Sequence, residues 1–389
     1  MKKLCYLFAL ILPLFACSES EQEEKSLPEK NAPAAELELQ PTDFSALAGW
    51  NEENWAEVLP LWQKNCDRIN KLRGQYLDGA KIKVPTRNYQ KICKDSTGIA
   101  DGAELKQFLE SRFAPFAVVG KGSAEGKFTA YYEAQINAAR QKHGKYKYPI
   151  YGRPADLVDI NLQDFDPSLP NRRLSGRVDN NRLVPYLTRA EIESGKIKAP
   201  ILLWGDDAVD IHIMQIQGSA VAKLDDGSEV RIGYDGNNGR AFRGIGSILL
   251  GKKLIASGEA HMRGIKKWLR AHPKQAEKLM QENERYIFHR LNTQSGPIGT
   301  FQVPLTGGRS LAVDRHYIPL GSLLWLQTSL PKTGKINKLV AAQDTGSAIK
   351  GVVRGDYFWG SGGDEILEKA GSMNAGGRYF ILLPKEEND

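Results

Sequence analysis

Apolar residues early in the chain recur at steps of three and four. In "NEENWAEVLPLWQKNCDRINKL", Trp55, Val58, Leu59, Trp62, Cys66, Ile69 and Leu72 fall on one face of a helix. Pro60 interrupts that run and predicts a kink or a helix start near it, because proline lacks the backbone donor and crowds the preceding turn. "DGAELKQFLESRF" repeats the helical period behind an Asp101 cap. Residues 44–115 therefore read as largely helical, with the tryptophans as core.

From "GKFTAYYEAQI" onward the pattern changes to short β-rich runs separated by Gly, Pro and Asn-Gly: "YPIYGRP", "RLVPYLT", "APILLWG", "DIHIMQIQGSAVAKL" and "SEVRIGYDG". "LDDGSEVRIGY" sets an Asp-Gly hairpin signal between alternating strands. This central stretch is expected to be an all-β unit. Short helices return in "RGIGSILLGKKLIASG", "MRGIKKWLRAHP" and "KQAEKLMQENERYIF", and strands follow through "KLVAAQDTGSAIKG" to "GRYFILLP". The order is helix, β insert, helix, β, with no internal repeat.

The chain opens with "MKKLCYLFALILPLFAC": two lysines, an apolar run and Ala16 before Cys17. The run is shorter than the roughly 20 residues of a membrane-spanning helix. Residues 1–16 read as a signal peptide ending in a lipobox-like "LFAC", against an ordinary signal cut elsewhere or a short anchor. Lipidated Cys17 then begins the mature chain, and Ser18 beside it favours the outer membrane, with the body facing the periplasm. Residues 17–42 are acidic, contain Pro and Ala and lack periodicity, which predicts a flexible tether. Globular composition begins at about Asp43, and the remaining length can form one large domain or two smaller ones.

The formal charge of +7 falls to +5 once Lys2 and Lys3 leave with the signal. That suits an anionic polymer, but no Lys/Arg block is dense enough to predict a nucleic-acid partner. Cys5 leaves with the signal and Cys17 takes the lipid. An oxidising compartment then favours a disulfide between Cys66 and Cys93 over two small buried hydrophobes. The six histidines show no HExxH and no paired ligand spacing, so no metal and no cofactor is expected.

"AAQDTGSAIKGVVRGDYFWG" carries the chemistry. Asp-Thr-Gly suggests an aspartic protease, yet such an enzyme needs two carboxylates sharing one proton about 3 Å apart. The motif occurs once, at Asp344; "DDG" at 225 and "YDGN" at 234 lack the hydroxyl residue. The dyad cannot be assembled from this sequence. A second acid, Asp356, follows twelve residues later beside Tyr357, Phe358 and Trp359. Two strands and a connection fit that spacing, so both acids can reach one cleft. A desolvated carboxyl holds its proton to higher pH and can act as a general acid. The bland alternative is a turn-capping Asp356 with core aromatics, and spacing alone does not separate the two.

Together with "FTAYYEAQI", "YPIYGRP", "IQGS", "RIGYDGNNG" and "GPIGTFQVPLTGGRSLAVDRHYIPLG", this motif resembles the membrane-bound lytic murein transglycosylase A family from about residue 125 to 384. Ala130 and Ala134 stand where that family usually shows Gly and Pro, and Ala220 where Gly is usual. The resemblance implies a mainly β protein with α: a double-psi β-barrel domain built from both chain ends (43–127 and 241–389), with a second small β-barrel domain inserted (128–240). It implies cleavage of the β-1,4 bond between N-acetylmuramic acid and N-acetylglucosamine in peptidoglycan, leaving 1,6-anhydromuramoyl ends. It maps the single catalytic acid onto Asp356 and a supporting acid onto Asp344. Candidate groove residues are Tyr132, Gln217, Gly218, Ser219, Asp314 and Lys350, each with a structural alternative: Gly218 in a tight turn, Asp314 in an ion pair with Arg315 or as a turn cap. Partners would be peptidoglycan glycan strands and, through the lipid, the outer membrane, with room for cell-wall synthase complexes. A hydrolytic glycosidase on the same barrel and a non-catalytic expansin-like glycan-binding lipoprotein are the competing classes.

Overall fold

The computed structural model describes residues 37–170, 172–294, 296–330 and 334–385. The expected signal peptide, the lipidation site Cys17 and most of the expected tether lie outside them. Among the described residues no helix is long and apolar enough to cross a membrane.

The first strand is β1 (Leu37–Pro41), followed by helices α1 (Trp55–Ile69), α2 (Thr86–Asp95) and α3 (Gly102–Arg112) and strands β2 (Phe113–Gly120) and β3 (Gly126–Ala139). β1 overlaps the expected tether and corrects it. It pairs antiparallel with β2 from Leu37↔Gly120 to Pro41↔Phe116, and Leu37 and Leu39 pack against the main core. Those alternate leucines are a period-2 signal inside an otherwise acidic stretch.

α1 carries Pro60 within it, on its solvent side. Trp55, Val58, Leu61, Trp62, Cys66 and Ile69 are buried, so Leu61 is fully enclosed where Leu59 is only partly so. Asp101 caps α3 by accepting from the Glu104 amide at 2.8 Å. Cys66 and Cys93 form a disulfide that joins α1 to α2.

Next come β4 (Tyr148–Tyr151), β5 (Val158–Asn161), β6 (Arg173–Asp179), β7 (Arg182–Pro185), β8 (Ile201–Gly205), helix α4 (Ala208–Gln217), β9 (Ala220–Leu224) and β10 (Glu229–Asn237). α4 contradicts the all-β expectation for this stretch. Asp207 accepts from the Val209 and Asp210 amides, and Gly218 closes the helix in the left-handed region at φ 89°. Val209, Ile211, Ile213 and Met214 are all buried, so the helix has no polar face and its sequence no 3.6-residue stripe. The Asp-Gly hairpin lies between β9 and β10 as expected, with Gly227 at φ 83°.

Helices α5 (Ile245–Gly251), α6 (Met262–Ala271) and α7 (Pro273–Gln281) precede β11 (Ile287–Asn292), which pairs with β10. The chain ends in β12 (Ser310–Val313), β13 (Leu323–Leu330), β14 (Gly334–Asp344), β15 (Arg354–Ser361), helix α8 (Asp364–Ser372) and β16 (Asn374–Pro384). Strand pairing runs β16–β13–β14–β12–β15–β3, and β3 pairs back onto β16, closing a circuit of six strands. β3 is parallel to β15 over Lys127–Glu133, then parallel to β9 over Ala134–Ala138. One strand thus belongs to both sheet regions. The main core fills the space between the amino-terminal helices and the six-strand circuit.

The disulfide closes a chain segment of 27 residues, worth about 3–4 kcal/mol of loop-closure entropy. Cys93→Ser should therefore lower the guanidinium midpoint of the oxidised protein, and reductant should have no further effect on that variant. Equal midpoints for both proteins would refute the stabilising role.

Candidate active site

One row of residues crosses the sheet. Asp344 at the end of β14 is the register partner of Ala312 on β12, Ala312 that of Asp356 on β15, and Asp356 that of Thr129 on β3. Register partners share a sheet face, so both acids project to the same side with only an alanine methyl between them. Two strand spacings put their Cα atoms roughly 10 Å apart. The row forms part of the floor of a groove of about 850 Å³.

β3 supplies a hydroxyl to each acid from residues two apart on one face. Thr129 donates to Asp356 Oδ1. Tyr131 donates from its phenol to Asp344 Oδ2 at 2.8 Å. Asp344 Oδ1 accepts in addition from the Thr300 amide and hydroxyl, both at 3.0 Å. The Thr345 amide also favours the ionised form of Asp344. The loop bearing Thr300 lies tight against β14: a Cβ on Gly299 would sit 2.4 Å from the Gln343 carbonyl oxygen, and Phe301 N–H donates to that oxygen at 2.9 Å.

Burial pushes both carboxyl groups above the usual Asp value, and it is the largest influence on each. For Asp344 the opposing influences are its hydrogen-bond donors. For Asp356 they are Thr129 and the Arg354 guanidinium, while the charge of Asp344 pushes it further up. The two groups are therefore unequal. Asp344 has its acceptor sites filled by protein donors, each of which favours the charged form against the burial that raises its pKa. Asp356 has one hydroxyl partner and otherwise opens to the groove.

The aromatic residues beside Asp356 do not cage it. Tyr357 points into the main core, donating to the Gly308 carbonyl at 2.8 Å, and Trp359 packs edge-on against it. Phe358 packs on Tyr131 with ring centroids 5.1 Å apart.

A description of the MltA specific insert domain matches residues 127–290, and one of the 3D domain matches residues 309–383. The chain is 31% identical over 265 residues to membrane-bound lytic murein transglycosylase A of Escherichia coli K12, an alignment covering 66% of this chain. It spans 65% of the length of that relative. The monoclinic crystal structure of MltA from Neisseria gonorrhoeae superposes with a TM-score of 0.77 at 32% identity, covering 92% of this chain and 96% of that one. E. coli MltA with bound chitohexaose superposes with a TM-score of 0.64 at 25% identity, over 91% and 95% of the two chains. The chain belongs to the membrane-bound lytic murein transglycosylase A family.

The residues first assigned to the family's groove divide in two. Gln217, Gly218, Ser219 and Lys350 line it with both acids. Gly218 also serves the turn: φ 89° demands glycine, while a Cβ there would meet nothing within 4 Å. Tyr132 and Asp314 do not line it. Strand alternation sends Tyr131 into the groove and Tyr132 into the second hydrophobic cluster. Asp314 is buried, accepting from the His316 amide at 3.2 Å and the Gly351 amide at 2.9 Å, and lies 3.7 Å from Lys350. It fastens the loop between β14 and β15. Of the departures from the family pattern, Ala130 lines the groove, whereas Ala134 and Ala220 are register partners buried together. Thr129, Tyr131, Thr300 and Arg354 were not picked out from the sequence, although the alternation of "FTAYYEAQI" held the signal for the first two.

The hydrogen bond from Thr129 favours ionised Asp356, so its loss must raise that carboxyl's pKa further. If protonated Asp356 is the working form, Thr129→Val should move the alkaline limb of the kcat/KM profile for glycan cleavage to higher pH. A lower rate with an unmoved limb would mean that Thr129 acts only in packing.

Proposed function

We propose that this protein is a lytic transglycosylase that cleaves the β-1,4 bond between N-acetylmuramic acid and N-acetylglucosamine in peptidoglycan, with Asp356 as its one acid/base. The observation that carries this reading is the inequality of the two acids. The donors filling Asp344 leave it no room to activate a water or to exchange a proton, and Asp356 alone presents a free carboxyl edge to the groove. Family membership supplies the reaction class. The chitohexaose bound to the E. coli relative supports a β-1,4-linked N-acetylglucosamine backbone as what the groove receives.

Protonated Asp356 gives its proton to the bridging oxygen as the bond from that oxygen to C1 of the muramoyl sugar breaks. Positive charge develops at C1, and ionised Asp344, its charge favoured by the donors around it, stabilises it. The Asp356 carboxylate then takes the proton of the same sugar's C6 hydroxyl while O6 bonds to C1. The carboxyl is restored, the bridging oxygen leaves as a hydroxyl, and no water is consumed. An internal nucleophile has the advantage of proximity over solvent. A two-carboxylate hydrolase needs its second acid free to act as base or nucleophile, which the donors around Asp344 oppose.

The same reading takes the six-strand circuit as a double-psi β-barrel built from the amino-terminal residues through the first half of β3, to about Glu133, and the carboxy-terminal part of the chain. The inserted small β domain, expected at 128–240, then begins in the second half of β3 and extends through helices α5 to α7 to β11, boundaries supported by the pairing of β3 with β9 and of β11 with β10. It also takes Cys17 as the lipid anchor to the outer membrane, in keeping with relatives named membrane-bound.

Asp356→Asn should abolish release of 1,6-anhydromuropeptides from purified sacculi, by mass spectrometry, in a protein that still folds. Asp344→Asn should slow release less severely. Digestion by the unaltered protein in H₂¹⁸O should leave the new muramoyl C1 unlabelled; ¹⁸O there would identify water as the nucleophile and end the transglycosylase reading.

Cys17→Ala should move the protein from the outer-membrane fraction to the soluble periplasmic fraction without loss of activity on isolated sacculi. Membrane fractionation that does not change would rule out the lipid anchor at that residue.

A further inference from the structure

Among the described residues, seven cationic side chains line the groove against two acids, Asp344 and Asp356. Five of the seven already have acidic partners: Arg173 with Asp159, Arg189 with Glu193, Arg290 with Asp235, Arg315 with Asp78 and Lys350 with Asp314. Arg354 donates to the Thr129 hydroxyl at 2.7 Å and lies in the field of Asp356. Arg285 is the remaining one. It precedes β11, on the inserted segment's side of the groove, and donates to the Arg240 carbonyl at 3.1 Å. Among the described residues no carboxylate stands within ion-pairing distance of it.

Burial lowers the Arg285 pKa, the mark of a guanidinium drawn out of water, and the Tyr234 phenol is the group acting against this. A cation withdrawn from solvent with no counter-charge is costly, and an anion brought by a ligand would relieve the cost. The planar fork of arginine suits a carboxylate, which it can grip through two parallel hydrogen bonds. Tyr234 and Phe242 line the same groove and are among the few large aromatic residues left exposed. Asn237 donates to the Tyr234 phenol oxygen at 2.6 Å and holds that ring. Exposed aromatic faces beside a lone cation form a surface for a sugar ring that bears an acid.

We propose that Arg285, in a groove that Tyr234 and Phe242 also line, is the seat for a carboxylate carried on the glycan. Two sources share that chemistry: the lactyl acid of muramic acid and the carboxylates of an acidic stem peptide. The proposal deepens the peptidoglycan reading above, and its test uses binding, so the two can fail separately.

Three ligands are titrated against full-length protein carrying Asp356→Asn: chitohexaose, which has no carboxylate; peptide-free glycan strands, with free lactyl acids; and peptide-bearing strands, whose lactyl groups are amides and whose acids lie on the peptide. Arg285→Gln should weaken at least one acidic ligand about tenfold and leave chitohexaose unchanged, with Arg285→Lys falling between. Loss confined to the peptide-free strands assigns the lactyl acid; loss confined to the peptide-bearing strands assigns the stem. Equal loss for all three ligands, or for none, overturns the proposal. Salt gives a second readout that needs no substitution at Arg285: raising it should weaken the acidic ligands and spare chitohexaose, and a uniform response overturns the proposal. Anhydro products with binding indifferent to Arg285 would remove the seat and keep the activity. Arg285-dependent binding without anhydro products would do the reverse.

Discussion

Strand β3 is the constraint on which the site depends. Its first half pairs with β15 and β16 in the six-strand circuit, and its second half pairs with β9 and β8 in the inserted segment. Glu133 sits at the changeover, fully buried, accepting from Arg231 of β10 and from Ser361 of β15. Its carbonyl oxygen accepts from the Gly362 amide at 3.2 Å. The register of β3 is thereby fixed from both sides, and a slip of one residue would turn Thr129 and Tyr131 away from the acids.

The site works because two chemically identical groups have been given unequal surroundings. Burial favours the proton on both; it is opposed at Asp344 by several hydrogen-bond donors and at Asp356 by one hydroxyl and a nearby cation. Such an arrangement opposes stability. A carboxyl whose pKa is raised in the folded state costs free energy that grows as pH rises above its unfolded value and is complete once pH passes the folded one, where it must ionise in a poorly solvated place. On the proposed reading, the cost at Asp356 goes with its function, because satisfying the carboxyl fully would remove its capacity to exchange a proton.

The sequence was most legible where one local signal decided the outcome. The apolar stripe of α1, the Asp101 cap and the Asp-Gly hairpin each rest on a few adjacent residues. It was least legible where burial is complete. α4 has no fully exposed residue, so its β-branched residues imitate a strand and only Asp207 and Gly218 mark its ends. The choice of Tyr132 over Tyr131 turned on strand phase, and both residues of "YY" suit a groove until register is known. The pairing of Asp344, Ala312 and Asp356 in one row needs three strands that pair out of chain order, one of them shifted by a bulge at Leu311/Ala312. No spacing rule contains that.

The amino-terminal helices hold this row as well as cover it. Arg309, just ahead of β12, grips Glu53 with a two-pronged ion pair at 2.8 and 2.9 Å and also reaches Glu57 at 2.7 Å. Glu53 accepts in turn from the Leu339 amide of β14. One carboxylate from before α1 thus ties β12 to β14, the strands bearing Ala312 and Asp344. Asn65 and Gln343 repeat the link deeper in: Gln343 donates to Asn65 at 3.2 Å and accepts from Ser310 at 2.6 Å, next to Asp344 in sequence. A buried ion pair is a weak source of net stability, but losing one partner strands the other, at a typical cost of about 3–5 kcal/mol. Its contribution here is geometric, because it fixes two strands whose relative position sets the separation of the two acids. The helical layer is therefore part of the framework that positions the two acids, although among the described residues it supplies none to the groove lining.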